Sequence, residues 1–321
     1  MRPIARFEAP PHVTAAARRA WRLQVAMIVY GITVIVGMGL AAGESQAMRT
    51  AWIEDMLMLV PPIAYLFADR LRRRQPDRIF PFGRFGAVDA AYLVSAFALV
   101  AVGGLLLWEG ASTLVRGERP SIGSVFVGGH QVWQGWFMWA ALLWAVVPAV
   151  WLGHLLNGPA KTLHDRSLHG SAEMLKADWQ TGVAAAVGVL GIGLGIWWMD
   201  AVAALVVASS VVLDGLRNTA RAFGALMEHR PMLIGRPDRP DDLVERFETA
   251  LRALPEVADA EVRLRESGWL LLGEVVLHTR EATSPEQDEA LYRAVAETAA
   301  GLSWRVHDPA VSIRVARSHG P

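Results

Sequence analysis

The chain is 321 residues long; 53% of its residues are hydrophobic and only 19% are charged. Its mean hydropathy of +0.29 is typical of a membrane protein that also carries a soluble part. A formal net charge of zero gives no support to nucleic-acid binding, and the absence of cysteine excludes disulfides, thiolate metal sites and cysteine nucleophiles.

Six apolar segments are long enough to cross a bilayer, which requires about 20 mostly apolar residues. They cover 21–42, 50–71, 87–108, 132–156, 177–198 and 201–216. Basic residues concentrate before the first segment and in the second and fourth loops, and six arginines lie between Arg70 and Arg84. Because cytoplasmic loops are enriched in arginine and lysine, we expect both termini to be cytoplasmic.

The composition changes after the sixth segment, where a proline-rich stretch is followed by a soluble pattern of helix, strand, strand, helix and strand. Asp241 or Asp242 is predicted to cap the first helix, Gly268 to form the hairpin turn, and Ser284 to cap the second helix. This order predicts a small α+β domain. The predicted organisation is an arm at 1–20, a transmembrane domain at 21–226, a linker at 227–240, the α+β domain at 241–316 and a tail at 317–321.

Carboxylates inside apolar segments point to function, because an acidic group in a span is costly and usually faces the interior of the bundle. Asp55 and Asp178 each have apolar neighbours on both sides, and Glu54 lies about 100° around the helix from Asp55. Oxygen ligands and the absence of cysteine favour hard or borderline divalent cations. Three other carboxylates lie at segment ends and are interpreted as structural or interfacial: Asp89, Glu109 and Asp214.

Four stretches together resemble a known family. RRRQPDRIFPFGRFGAVDA resembles a basic loop after its second span, and LLLWEGASTLVRG resembles the end of its third span. GIWWMDAVAALVVASSVV resembles its fifth-to-sixth span junction, and LPEVADAEVRLRESGWLLLGEVVL resembles the start of its C-terminal domain. The family is the cation diffusion facilitators, which are divalent-metal/proton antiporters, and the resemblance covers nearly the whole chain.

The resemblance implies a fold and an activity. The expected fold is an all-α, six-helix transmembrane domain followed by a small α+β cytoplasmic domain of ferredoxin or metallochaperone type. The expected activity is proton-coupled efflux of a divalent cation by alternating access, from a homodimer in a bacterial-type inner membrane. No resident cofactor is expected; zinc, manganese and iron are the favoured cargoes.

The resemblance also implies a transport site made of two residue pairs, each four apart and therefore on one helix face. On the second span, Asp55 matches the first member of its pair and Leu59 occupies the second position. On the fifth span, Met174 occupies the first position and Asp178 matches the second. The sequence therefore keeps one carboxylate of each pair and lacks the other two ligands.

Three interpretations of this loss remain open. In the first, water, backbone carbonyls, Glu54 or Glu173 complete the coordination shell of the metal. In the second, the cation is harder than zinc, for example manganese, iron or magnesium. In the third, the protein has lost transport activity. A mixture of the first two is favoured. Asp55 and Asp178 can lie at one depth only if the fifth helix begins early, so we predict a start between Leu163 and Ser171.

A second metal site in the C-terminal domain is considered at His278, His307 and Asp308, against the plainer interpretation of surface histidines. The alternative function is a non-transporting membrane protein that signals or scaffolds through dimerisation of this domain. An enzyme is disfavoured, because the chain contains no HExxH motif, phosphate-binding glycine loop or Ser/His/Asp arrangement at a suitable spacing.

Overall fold

In a computed structural model of the chain, residues 7–118, 121–227 and 230–315 are described. They form two compact units. The helical unit comprises residues 16–70 and 90–223, and the mixed unit comprises the described residues of 1–15, 71–89 and 224–321.

Seven helices make up the first part of the described chain. They are α1 (Pro11–Ala41), α2 (Gln46–Leu57), α3 (Val60–Arg72), α4 (Ala87–Arg116), α5 (Gly135–Leu163), α6 (Arg166–Gly193) and α7 (Trp198–Leu226). Between α4 and α5 the chain forms an antiparallel hairpin of β1 (Ser124–Val127) and β2 (His130–Trp133). Its turn uses Gly128 and Gly129 at φ values of +58° and +82°, a conformation that glycine adopts readily.

Among the described residues, five helical segments are long and apolar enough to cross a membrane. They are Pro11–Ala41, Gln46–Arg72, Ala87–Arg116, Gly135–Leu163 and Trp198–Gly224. The expected count of six is not confirmed. The remaining helix, α6, has 28 residues, but its first half contains Glu173, Lys176 and Asp178 and is too polar for the same criterion.

Several helices extend beyond their expected bounds. α1 begins ten residues before the predicted first span, because Pro11 is favourable in a first turn and the alanine-rich stretch that follows propagates a helix. α7 continues to Leu226, ten residues past the predicted sixth span, because arginines, alanines and a leucine there favour helix as well.

The predicted second span lies within one apolar helical segment, Gln46–Arg72, but the regular helix is interrupted near its middle. The interruption covers Met58 and Leu59, between the end of α2 and the start of α3, although Met58 itself keeps right-handed helical φ and ψ values of −63° and −16°. Pro61 and Pro62 have no backbone N–H, so they cannot continue α2, but they are tolerated in the first turn of α3.

The predicted early start of α6 is confirmed, because the helix begins at Arg166. Asp165 caps it: one carboxylate oxygen accepts hydrogen bonds from the backbone N–H groups of Ser167 at 3.0 Å and Leu168 at 3.1 Å. Asp178 lies twelve residues after Arg166, which corresponds to about 18 Å along the axis. It is therefore well inside the helix rather than at its end.

The start of α2 is held by Asp200, which is fully buried at the start of α7. The carboxylate of Asp200 accepts hydrogen bonds from the Ser45 hydroxyl at 2.6 Å and the Gln46 N–H at 2.6 Å. It also accepts one from the Ala47 N–H at 3.2 Å. Gly188 of α6 permits this contact, since a Cβ there would lie 3.0 Å from the Ala47 Cβ and 3.3 Å from the Asp200 Oδ1.

The C-terminal part of the chain follows the predicted order of helix, strand, strand, helix and strand. Its elements are α8 (Leu243–Arg252), β5 (Val257–Ser267), β6 (Leu270–Thr279), α9 (Pro285–Leu302) and β7 (Ala310–Val315). β6 pairs antiparallel with β5 and parallel with β7. Three strands in the order β5-β6-β7 do not confirm a ferredoxin-type fold. The stretch expected to be a plain linker contains a short pair, β3 (Met232–Leu233) and β4 (Arg236–Pro240).

The basic loop between α3 and α4 belongs to the mixed unit and has an ordered turn. The Asp77 carboxylate accepts hydrogen bonds from the backbone N–H of Phe80 at 2.7 Å and from the Arg84 guanidinium at 2.6 Å. These two donors hold the pKa of Asp77 below its ordinary value. The turn therefore keeps its charged acceptor at lower pH than an aspartate with an ordinary pKa would.

A buried arginine organises the β5–β6 turn. Arg305 is 2% exposed, and its guanidinium contacts the Glu266 carboxylate at 2.9 Å and donates to the Trp269 carbonyl at 3.1 Å. An Asp241 carboxylate oxygen lies 3.8 Å away. The Arg72 guanidinium covers the Trp269 ring at 3.3 Å from its centroid, so one arginine contacts the ring of Trp269 and another its carbonyl.

We expect Arg305→Ala to lower the free energy of unfolding of the mixed unit by about 3–5 kcal/mol, because the buried Glu266 carboxylate would lose its 2.9 Å ion pair with Arg305. Arg263→Ala is the matched control. Arg263 also pairs with two carboxylates, Glu261 and Glu274, but its side chain is 67% exposed, so a loss of about 0–1 kcal/mol is expected. Denaturant unfolding followed by tryptophan fluorescence measures both; equal losses would contradict the interpretation.

Candidate metal centre

Three small adjoining cavities lie inside the helical unit, and Met58 and Asp178 line all three. The first cavity lies between α1, α2, α5 and α6, and Met38 and Gly182 are on its wall. The second lies between α2, α4, α6 and α7. The third lies between α1, α2, α5 and α6, beside Tyr30. Asp178 is therefore at the common wall of the three cavities.

The structure brings the two predicted carboxylates together. Asp55 and Asp178 both line the first and third cavities. Glu54, which the sequence ranks as the weaker candidate, lines the first cavity with them and also the second with Asp178. Glu54 and Asp55 point to different sides of α2, but the cavities continue around that helix. Their role in metal binding stays a prediction.

The other predicted site residues lie apart from one another. Met174 lines the second cavity, where its sulfur accepts a hydrogen bond from the Asn218 side-chain amide at 3.4 Å. Leu59 lines the third cavity and offers no ligand atom. Glu173 is exposed, forms a salt bridge with Lys176 at 2.5 Å and lines none of the three cavities. Glu173 is therefore placed outside the cavities, contrary to its inclusion in the predicted shell.

Sequence reasoning missed several polar residues of the second cavity. Asp214, Ser210 and Thr181 line it with Glu54 and Asp178. Asp214 was assigned to a segment end, but α7 continues twelve residues beyond it. The helix-forming composition of 217–226 was the available signal. Asp214 also meets a cation, since its carboxylate lies 3.4 Å from the Arg217 guanidinium.

The cavity walls carry excess negative charge. Among the described residues, no salt bridge joins Glu54, Asp55 or Asp178 to a lysine, arginine or histidine. Carboxylates without cations inside a helical bundle are expensive to maintain, so they are expected to have a functional ligand. The missing positive charge is what a divalent cation or protons would supply.

The donor set fits some cations better than others. Within the parts of the chain that the structure describes, no group of three or more histidine, aspartate or glutamate side chains is arranged to hold a metal ion. Tetrahedral zinc prefers histidine and thiolate. Carboxylate oxygens supplemented by water or backbone oxygens suit harder cations such as manganese and magnesium.

The second site considered in the C-terminal domain is contradicted by the structure. The His307 N–H donates to the Leu271 carbonyl at 3.1 Å, which places His307 and Asp308 near the start of β6. His278 is seven residues further along the same strand, which corresponds to about 23 Å. Its ring instead lies 3.6 Å from the Glu261 carboxylate. The three residues cannot share one ion.

A comparison with protein families identifies the helical region. A family model described as the cation efflux transmembrane domain matches residues 23–227, which is more than half of the chain and includes every cavity-lining residue named above. The chain belongs to the cation efflux family. No curated protein sequence matches it significantly.

Family membership confirms the resemblance to the cation diffusion facilitators. Together with five apolar helices in the described residues, it identifies a multi-pass membrane protein and a cation transporter of this kind. Members of the cation efflux family are transporters rather than enzymes. The three cavities all lie within the part of the chain that the family model matches.

We expect Gly182→Ala to destabilise the helical unit by about 1–3 kcal/mol, because the added Cβ would overlap the Val146 Cγ2 beside the first cavity. Gly104→Ala in α4 is the control, since a Cβ there meets nothing within 4 Å. The control should be neutral or stabilising by up to about 1 kcal/mol. Unfolding of the two variants in detergent micelles, compared at equal protein concentration, checks the difference.

Proposed function

We propose that this protein exports divalent metal cations from the cytoplasm in exchange for protons. The observation that carries the proposal is the position of Asp178 at the wall shared by three cavities, facing Asp55 in two of them and Glu54 in two of them. A carboxylate in this position can face different cavities of the bundle while its own helix keeps its conformation. This is the arrangement that alternating access around one site needs.

The proposed mechanism is competition for the carboxylates. A divalent cation binds the ionised forms of Asp55, Asp178 and Glu54, and protons bind the same oxygens when the cation leaves. Because no lysine, arginine or histidine among the described residues lines the three cavities, one of the two ligands is needed to neutralise these carboxylates. Exchange of the two ligands across the membrane couples metal efflux to proton entry.

The proposed topology has six crossings, with α6 as the additional one. Its polar half can cross because it faces protein and cavities: α6 packs on α5 and α2, and Met174 and Asp178 line the cavities. Six crossings, with the arginine-rich loop on the inner side, place both termini in the cytoplasm. A homodimer formed through the C-terminal domain, in a bacterial-type inner membrane, completes the proposal.

In proteoliposomes, we expect a gradient of one divalent metal to drive proton flux. Asp178→Ala should abolish the flux, because the variant loses the carboxylate common to all three cavities. Glu173→Ala is the matched control: it removes an acidic side chain from the same helix, but one that is exposed and paired with Lys176. A pH-sensitive dye inside the vesicles measures flux with manganese, iron(II), magnesium, zinc, cobalt, nickel and cadmium.

One observation favours the alternative of a non-transporting scaffold, namely that no three acidic or histidine side chains in the described residues form a ready metal site. That alternative predicts no flux with any metal in folded protein and no change of phenotype on Asp178→Ala. Flux that survives in Asp178→Ala would instead leave a transporter with a different site.

A further inference from the structure

The break between α2 and α3 frees two backbone carbonyl groups. In a continuous helix, the carbonyl of residue i accepts a hydrogen bond from the N–H of residue i+4. The positions four residues after Leu57 and Met58 are Pro61 and Pro62, which have no N–H. The prolines therefore remove the helical partners of both carbonyls, within one turn of Glu54 and Asp55.

The hydrogen bonds around the break leave these two oxygens unused. Met58 N–H donates to the Glu54 carbonyl at 2.9 Å, Leu59 N–H to the Met56 carbonyl at 3.3 Å, and Ile63 N–H to the Leu59 carbonyl at 3.2 Å. Among the described backbone hydrogen bonds that lie outside regular helices and strands, none ends on the Leu57 or Met58 oxygen.

Another proline in the same unit behaves differently. Pro148 lies inside α5 and removes the helical partner of the Trp144 carbonyl. The Tyr30 hydroxyl donates to that carbonyl at 2.6 Å and so replaces the missing N–H. The fold thus supplies a donor for this proline-freed carbonyl, whereas no hydrogen bond of the described residues serves the two beside Asp55. Unsatisfied backbone groups are tolerated at membrane depth only where they line a cavity or meet a ligand.

The location of the break meets this condition. Met58 lines all three cavities together with Asp178, and Asp55 or Glu54 is present in each of them. The freed carbonyls also end α2, where the helix dipole is negative and favours a cation. The freed Met58 carbonyl therefore belongs to a residue on the wall of every cavity, whereas Leu57 lines none of the three.

We propose that the backbone carbonyl oxygen of Met58 is a ligand of the transported cation, in place of the side chain that Leu59 does not provide. The inference rests on the proposed function, since it concerns the same site. An oxygen-only shell of a carbonyl and carboxylates with room for water selects hard cations of six-fold coordination, such as manganese(II) or magnesium, over tetrahedral zinc. Pro62 thereby converts a depleted zinc-type site into an oxygen site.

The test restores the missing donors one at a time. Pro61→Ala supplies an N–H for the Leu57 carbonyl, and Pro62→Ala supplies one for the Met58 carbonyl. We expect Pro62→Ala, alone or in the double variant, to raise the Kd for manganese(II) by about tenfold or more, and Pro61→Ala alone to leave it nearly unchanged. Thermal stability without metal should stay equal or increase, because two helical hydrogen bonds are gained. Calorimetric titration of purified full-length protein with manganese(II) and zinc measures the effect.

Pro159→Ala is the matched control, because Pro159 also interrupts a spanning helix but lines none of the three cavities. It should leave the manganese(II) affinity unchanged. A purely structural role for Pro61 and Pro62 predicts altered stability with no change in the preference for manganese(II) over zinc. If the double variant does not fold, the manganese(II) affinities of the two single variants test the inference.

The outcomes separate this inference from the proposed function. Wild-type flux with unchanged manganese(II) affinity in all proline variants would overturn the carbonyl ligand and leave the transporter in place. Weakened binding in Pro62→Ala, without flux in the wild type, would support the ligand and overturn transport. Absence of manganese(II) binding in folded wild-type protein would overturn the inference whatever the flux.

Discussion

The buried carboxylate of Asp200 is the contact on which the arrangement of the helical unit depends. It accepts hydrogen bonds from Ser45, Gln46 and Ala47 and so joins the start of α2 to the start of α7. Buried N–H groups at a helix start need such acceptors. Because α2 rises 1.5 Å per residue, this anchor determines the depth at which Glu54 and Asp55 lie. The close approach of Gly188 adds α6 to the same junction.

Two helices, α2 and α6, carry the buried carboxylates to the cavities from opposite directions. α2 begins at the junction and ends after twelve residues, just beyond its two carboxylates. α6 begins at the opposite end, at its Asp165 cap, and carries Asp178 to the same cavities. The helix break beside Asp55 and the polar half of α6 are both unfavourable in lipid. Both become favourable in the bundle interior, because each borders a cavity in which water or an ion can satisfy it.

The sequence predicted the C-terminal elements well, because a turn at Gly268, a capping residue at Ser284 and alternating strands are local signals. It also predicted the early start of α6, from the requirement that Asp55 and Asp178 share one depth. The sequence-based prediction failed where residue-level helix propensity and the hydropathy of a whole segment give different boundaries for a helix. Pro61 and Pro62 were included in a predicted apolar span without a break, and Asp214 was assigned to a helix end because the predicted sixth span was too short.

The sequence by itself determined the membrane character, the family pattern and the two carboxylates, Asp55 and Asp178, since these follow from composition, motifs and the cost of charge in a span. Only the tertiary structure decided which groups share a cavity. It placed Glu54 beside Asp178, moved Glu173 to the surface and separated His278 from His307. The physical reason is that the cavity walls come from six helices distant in the chain, and the relative depth of these helices is set by caps and helix packing rather than by local spacing.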